Sequence, residues 1–205
     1  MAKAKEHRSK AVQRKIYSCA IDLFQKNGFE NVKVNDICAA ADVSTGTFYY
    51  YYPSKESIFL GYGEAIDEII DENMPELKGT TASETLKNLL LFKLKTSTRT
   101  GAEMSKISWI AELKHNKDVA LDMRRTAYGY YMNTIEEGMK SGEFRDDINL
   151  YTATSMLRYM AGGLCLRWAI QPDVVDLDVE GERLVDMFIS LLKHTASEEV
   201  YVKGR

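Results

Sequence analysis

The amino-acid sequence predicts an all-α protein: a small N-terminal three-helix domain followed by a larger helical C-terminal domain. Three observations carry this. Apolar residues recur at spacings of three and four along most of the chain. Gly28, Pro53, Pro75, Gly101, Asn116, Gly142 and Pro172 punctuate that period. The 205 residues, 45% of them apolar, are enough for one sizeable core plus a small extra domain.

The first helix is expected from about Ser9 to Asn27, burying Ile16, Cys19, Ala20, Leu23 and Phe24, with Gly28 ending it in a left-handed cap. Upstream, Lys3, Lys5, Arg8, Lys10, Arg14 and Lys15 face only Glu6, which reads as a flexible basic arm running into that helix. Next, Val34, Ile37, Cys38 and Ala41 recur at i, i+3, i+4 and i+7, so one face of a second short helix is apolar and should be buried. A turn follows at Ala41-Asp42-Val43, where Asp42 tolerates a left-handed backbone and Val43 supplies an apolar plug. Ser44 then caps a third helix.

In that helix, with Phe48 on the core side, about 100° per residue brings Thr45, Tyr51 and Tyr52 to within roughly 60° of it and puts Gly46 and Tyr50 nearly opposite, with Thr47 and Tyr49 on the flanks. A glycine inside a helix costs about 1 kcal/mol against alanine, so Gly46 on an outer face makes sense where another surface must come close. Two short helices about a tight turn form a helix-turn-helix, whose second helix presents its N-terminal residues to the DNA major groove. The hydroxyls of Thr45, Thr47, Tyr49 and Tyr50 suit bases or phosphates there. Pro53 stops this helix, and Ser54 caps the next, whose first turn carries Lys55; free N–H groups plus a cation suit a DNA phosphate.

The segment resembles the TetR family of bacterial transcriptional regulators. The resemblance runs from Leu23-Phe24-Gln25-Lys26-Asn27-Gly28-Phe29 through Val34 to Glu56, including Val43-Ser44-Thr45-Gly46-Thr47-Phe48-Tyr49 and Tyr51-Tyr52-Pro53-Ser54-Lys55-Glu56. It implies that Thr45, Gly46, Thr47, Tyr49 and Tyr50 face the major groove, with Tyr49 and Lys55 on phosphates. Three positions depart from the commoner pattern. Lys33 stands where a Ser or Thr usually caps the second helix, and can reach phosphate; Asp42 replaces a turn glycine; Tyr50 stands where histidine is frequent, so base preference is not inherited.

Beyond Pro53, a helix over 54–73 is expected to bury Ile58, Tyr62, Ala65, Ile66, Ile69 and Ile70, closed by Pro75 and Gly79-Thr80-Thr81. Further helices are expected near 83–99, 103–115, 118–141, 147–170 and 177–195. Residues 1–53 thus form the DNA-binding domain with its basic arm, 54–78 a connecting helix shared by both domains, and 79–205 an effector-binding and dimerisation domain. The region 104–132 is rich in large soft side chains. Phe92, Trp109, Met123, Tyr128, Tyr131, Met132 and Tyr159 suit an apolar pocket as well as an ordinary core. Arg124, Arg125 and Glu112 are read chiefly as solvated surface charges.

The segments 136–145 and 162–168 are similar to the C-terminal half of the same family, whose last two long helices pair with their twins in a four-helix bundle. Ala161, Gly162 and Gly163 then offer a smooth face for close helix approach, and Leu184, Met187, Phe188, Leu191 and Leu192 an apolar stripe, for a homodimer or else for the protein's own core. A two-fold pair of recognition helices reads a palindrome about one DNA turn apart, ~34 Å.

Charge distribution agrees. The net charge is -3, yet residues 1–60 hold nine Lys/Arg against six Asp/Glu, so the N-terminal end is the one suited to nucleic acid. No apolar run approaches ~18 residues, so a cytoplasmic protein without membrane attachment is expected. Cys19, Cys38 and Cys165 read as buried structural thiols, and His7, His115 and His194 lack ligand spacing; neither metal nor cofactor is expected. No nucleophile has a positioned base and no glycine loop cradles phosphate, so the chain is not expected to be an enzyme. The expected function is a sequence-specific regulator of transcription, a dimeric repressor released from a palindromic operator in double-stranded DNA when a small-molecule effector shifts the 54–73 helix. The alternative is a helical protein-interaction module without a specific DNA site.

Overall fold

The computed structural model describes residues 2–115 and 125–193. Every regular element among them is helical: α1 (Ala2–Asn27), α2 (Val34–Ala41), α3 (Thr45–Tyr51), a 3-10 helix (Glu56–Gly61), α4 (Tyr62–Leu77), α5 (Ala82–Thr100), α6 (Ala102–His115), α7 (Thr126–Ser141), α8 (Leu150–Ile170) and α9 (Leu177–Leu192). The chain divides into two compact units. The first holds the described residues up to 62 together with 107–115, and the second holds 63–106 and 125–193. This division differs from the one read from the sequence, because the C-terminal part of α6 joins the first unit.

In the first unit, Ile16, Ala20 and Phe24 of α1 are fully buried, whereas Cys19 and Leu23 keep partial exposure. The backbone helix of α1 reaches back to Ala2, through the segment expected as a flexible arm; the side chains of Lys3, Lys5 and Arg8 lie outside the described residues. Gly28 closes α1 at φ 78°, its N–H donating to the Phe24 carbonyl at 2.8 Å. Phe24, Phe29 and Phe59 then pack as a triangle with ring centroids 5.0–5.6 Å apart, joining α1, the turn after it and the 3-10 helix. The expected continuous helix over 54–73 is in fact two elements. Ser54 and Ser57 exchange N–H to Oγ bonds (3.1 and 3.2 Å), and that reciprocal cap opens a 3-10 helix; α4 begins only at Tyr62. Pro75 does not close α4 but lies in its last turn, with the helix running on to Leu77.

In the second unit α5 packs against α7, α8 and α9, and α8 packs on both α7 and α9. Leu86, Leu89, Leu90 and Leu94 of α5 are buried among them, with Ile135 of α7, Leu157 of α8 and Val185 of α9. Ile70 is buried as expected, but Ile69 is 38% exposed because α4 turns only one edge inward. Tyr62, Ala65 and Ile66 lie outside the described side chains, as does the part of the expected 118–141 helix before Arg125. The N-terminus of α5 is capped twice. Thr81 accepts from the Glu84 N–H at 3.1 Å, and the Glu143 carboxylate, sixty residues away, accepts from the N–H groups of Ala82 and Ser83 at 2.7 and 2.9 Å. Gly142 ends α7 at φ 76° and lets the chain fold back so that Phe144 is buried.

That return has a steric condition. A Cβ at Gly138 would overlap the Phe144 ring and come within 2.9 Å of the Ala82 Cβ. Gly138→Ala should therefore destabilise the protein by about 1–3 kcal/mol despite alanine's better helix propensity, read as a lower denaturant midpoint at unchanged slope.

Candidate nucleic-acid interface and effector core

The helix-turn-helix is built from its turn. Asp42 adopts φ 52°, ψ 53°, its N–H donates to Ala39 O, and the Val43 N–H donates to Cys38 O (3.3 and 3.0 Å), a Schellman closure of α2. At the other end of α2 the cap is one-sided. The Asp36 carboxylate accepts from the Lys33 N–H at 2.8 Å, while the lysine side chain has no acceptor with which to reciprocate. Lys33 is thereby left exposed beside the cap. Ser44 caps α3, its Oγ accepting from the Thr47 N–H at 3.0 Å and lying 2.9 Å from the Thr47 hydroxyl.

With both ends fixed, α3 presents a defined face. Phe48 is fully buried and Tyr52 is 4% exposed, its hydroxyl donating to the Gln13 carbonyl at 3.2 Å. Tyr51 is half-buried, its hydroxyl 3.0 Å from the Ser9 Oγ. The opposite side carries Tyr50 at 79% exposure and Tyr49 at 53%, beside exposed Ser44, Thr45 and Gly46 and half-exposed Thr47. The structure thus brings together every α3 residue singled out from the sequence. A Cβ on Gly46 would meet nothing of this chain closer than the Ser44 Oγ at 3.7 Å.

Lys55 differs from the expectation. Its ammonium donates to Phe29 O at 2.7 Å and Val32 O at 2.9 Å, and stands 4.0 Å from the centre of the Phe29 ring. Two of its three protons are spent inside the chain, because two turn carbonyls face it that no helix satisfies. Its first role is to hold the turn between α1 and α2.

The residues expected to line a pocket separate. Tyr128 and Tyr131 are buried, at 3% and 1% exposure, and Phe92 and Met132 are half-buried in the same unit. Tyr159, 49% exposed, faces outward. Trp109 belongs to the first unit, and Met123 lies outside the described residues. Arg125, expected at the surface, pairs bidentately with buried Asp67 of α4 at 2.6 and 3.0 Å. Glu112, also expected at the surface, is 6% exposed; Arg124 lies outside the described residues. Next along α4, Asp71 accepts from the Tyr130 hydroxyl.

Two cations were missed altogether. Arg158 of α8 is 4% exposed, and the ammonium of Lys93 on α5 lies deep among α5, α7 and α8 although its residue keeps some surface. Burial pushes Lys93 well below an ordinary lysine; the Cys165 sulfur, 3.8 Å away, partly offsets this, and the charges of Arg158 and Arg125 lower it further. Burial also pushes the Tyr131 phenol up to about 12. A signal existed: each cation is a lone charge inside an apolar run, Leu89-Leu90-Leu91-Phe92-Lys93-Leu94 and Met156-Leu157-Arg158-Tyr159-Met160.

Of the residues expected at a subunit interface, Leu191 is 61% exposed and Leu184 half-buried, but Ala161, Gly162 and Phe188 are buried within this chain. The exposed large apolar side chains of α8 and α9 are Tyr151, Met156, Tyr159, Met160, Leu166, Ile170, Val179, Met187 and Leu191.

A capped, outward-facing recognition helix on a three-helix head, followed by a separate helical unit with a buried polar centre, defines a helix-turn-helix DNA-binding regulator of transcription. Residues 16–62 match the family profile described as "Bacterial regulatory proteins, tetR family", and residues 85–194 match "MAATS-type transcriptional repressor, C-terminal region". The chain belongs to the TetR family. Among its relatives, the fatty acid metabolism regulator protein of Bacillus subtilis is 20% identical, over 91% of this chain and 97% of that protein. The HTH-type transcriptional repressor KstR2 of Rhodococcus jostii is 25% identical, over 83% and 85%. In structure, FadR from Bacillus subtilis in complex with stearoyl-CoA superposes with a TM-score of 0.64 at 19% identity, over 86% of this chain and 97% of that one. No described helix is long and apolar enough to cross a membrane.

Two outcomes follow from the buried cations and the turn. Lys55→Met should cost about 1–3 kcal/mol of stability, because the Val32 carbonyl loses its lysine donor and the Phe29 carbonyl keeps only the 3.4 Å bond from the Val32 N–H, measured by denaturation. Because the folded state lowers the Lys93 pKa from 10.5, the unfolded chain binds more protons between that lowered value and 10.5, so stability rises with pH there and is lost as pH falls. Lys93→Met should therefore be more stable than the parent at neutral pH, with the gap closing as pH rises towards 10; Tyr131 opposes the trend only above its ordinary 10.0.

Proposed function

We propose that this regulator is a homodimeric repressor that reads a palindromic operator through α3 and is released when a small-molecule effector binds within the second unit. The observation that carries the DNA-reading part is the outer face of α3. Two exposed tyrosines, two threonines and a glycine share one rigidly capped helix whose other side is anchored by Phe48 and Tyr52. Thr45, Thr47 and Tyr50 reach base edges in the major groove, Gly46 lets the helix backbone approach, and Tyr49, Ser44 and Lys33 contact phosphates. Lys55 supports this face from behind, holding the α1–α2 turn with two protons and leaving the third for a phosphate.

The exposed apolar side chains of α8 and α9 favour dimerisation through those helices, with Met156, Met160, Met187 and Leu191 supplying contact area that a lone chain leaves in water. Effector release is favoured by the polar centre of the second unit, and relatives from the same family supply the precedent: KstR2 is named a repressor, and the Bacillus FadR structure contains stearoyl-CoA. α4 follows the helix-turn-helix directly in the chain, and its Asp67 and Asp71 are bonded to Arg125 and Tyr130. An effector that repacks α7 acts on α4 through those bonds. A coupling of about 1–3 kcal/mol gives a 5- to 150-fold change in operator affinity.

Selection of bound sequences from fragmented DNA by the full-length protein tests this reading, with a palindromic site expected and no enriched site counting against it. On the selected site, Gly46→Ala is decisive because its two effects have opposite signs. It should stabilise the free protein by up to about 1 kcal/mol, since α3 has room for the methyl, and yet weaken operator binding. Tyr50→Ala should cost about 1–3 kcal/mol of specific affinity. Equal operator affinity in both variants and the parent would mean that α3 faces something other than DNA.

A further inference from the structure

We propose that Lys93 and Cys165 form a reversible covalent cross-link between α5 and α8, a sulfenamide made when hydrogen peroxide oxidises the thiol, whatever effector the protein takes. The fold sets up the pair. Lys93 interrupts the run of leucines that α5 buries in the second unit, and Cys165, 5% exposed, lies on the covered side of α8. The two residues are 72 apart in the chain, yet the lysine Nζ stands 3.8 Å from the cysteine Sγ. That sulfur is the lysine's one hydrogen-bond acceptor among the described residues. Neither Cys19 nor Cys38 has a hydrogen-bond partner for its sulfur among those residues, and burial raises the Cys38 thiol, which disfavours the reactive thiolate there.

Each partner supplies what the other's chemistry needs. Reactive cysteines sit beside cations, because the thiolate is the nucleophile and positive charge favours it. Lys93 is such a cation, and its lowered pKa also brings the free amine, with its lone pair, within reach. Peroxide is little larger than water and approaches through the small surface that Cys165 and Lys93 retain. The sulfur attacks one peroxide oxygen; the S–O bond forms, the O–O bond breaks, and the leaving hydroxide takes the thiol proton as water. Sulfur is oxidised by two electrons to a sulfenic acid and the peroxide is reduced. The Lys93 lone pair then attacks that sulfur, forming the N–S bond while the S–O bond breaks and the hydroxyl leaves with an amine proton as a second water. The flexible four-carbon stem of lysine closes the remaining gap. No further oxidant is needed, and the product carries no charge, which relieves the cost of a buried ammonium. An added thiol reverses the step by attacking the sulfur and releasing the amine.

Peptide mass mapping of the full-length protein decides it. The folded, reduced protein is freed of reductant, treated with hydrogen peroxide, blocked at its remaining thiols with N-ethylmaleimide and digested with trypsin. A species joining residues 88–95 to 159–167 is expected, about 2 Da lighter than the two peptides together because two hydrogens are lost. Dithiothreitol should separate it into its halves. Unfolding the protein in guanidinium before the peroxide is added should abolish the joined species, since the fold holds the pair together. Lys93→Arg keeps a cation but has no nucleophilic amine, so its Cys165 should stop at the sulfenic acid and be captured by dimedone. Cys165→Ser should form no cross-link. The map of the parent decides the matter even where neither variant folds. The proposal is overturned if the two peptides of the folded parent stay separate after peroxide, whether Cys165 remains a thiol, is oxidised alone or bonds to another cysteine. A joined species that persists in denaturant, or in Lys93→Arg, overturns it as well.

Discussion

The ammonium of Lys55 fixes the DNA-binding unit by meeting the carbonyl oxygens of Phe29 and Val32. Between α1 and α2 the chain must reverse within a few residues, and its backbone acceptors there have no helical partners. Lys55 satisfies two of them while resting against the Phe29 ring, and that ring packs with Phe24 and Phe59. α2 starts immediately after this turn. Its direction sets the Schellman closure at Asp42, and that closure sets which side of α3 faces away from the core. A cation read in isolation as a phosphate contact is thus also a structural tie between two backbone carbonyls of its own chain.

The second unit uses buried charge differently. Asp67 and Arg125 are matched in number and geometry, so their desolvation is largely offset by a two-pronged bond that also fixes α4 against the start of α7. Lys93 has no such partner among the described residues, and its burial opposes folding. Stability and response are therefore set by neighbouring side chains of the same helical core.

Helix α3 shows how far local pattern can be trusted. The 100° step placed Phe48 inside and Gly46 and Tyr50 opposite, and the structure has the same arrangement, since a seven-residue helix held by caps at both ends has little freedom to rotate. In α8 and α9 the same reasoning separated the faces only in part. Ala161, Gly162 and Phe188 looked suited to a partner chain but are covered within this one; Met187 and Leu191 of the same stripe are turned outward, as are Met156 and Tyr159 of α8. Both helices carry apolar residues on more than one side, so their periodicity could not say which side α5 would cover.

The sequence by itself determined the helical class, most element boundaries, the turn at Asp42, the Ser44 cap and the exposed face of α3. All of these are settled by contacts within a few residues, where backbone sterics and helical phase dominate. Only the tertiary structure decided that Lys55 is tied inward, that Arg125 finds Asp67, that Glu143 caps a helix sixty residues upstream, and that Lys93 and Arg158 share one buried centre. Each depends on a partner far away in the chain, and the fate of a charge is fixed by whether that partner arrives before water is excluded.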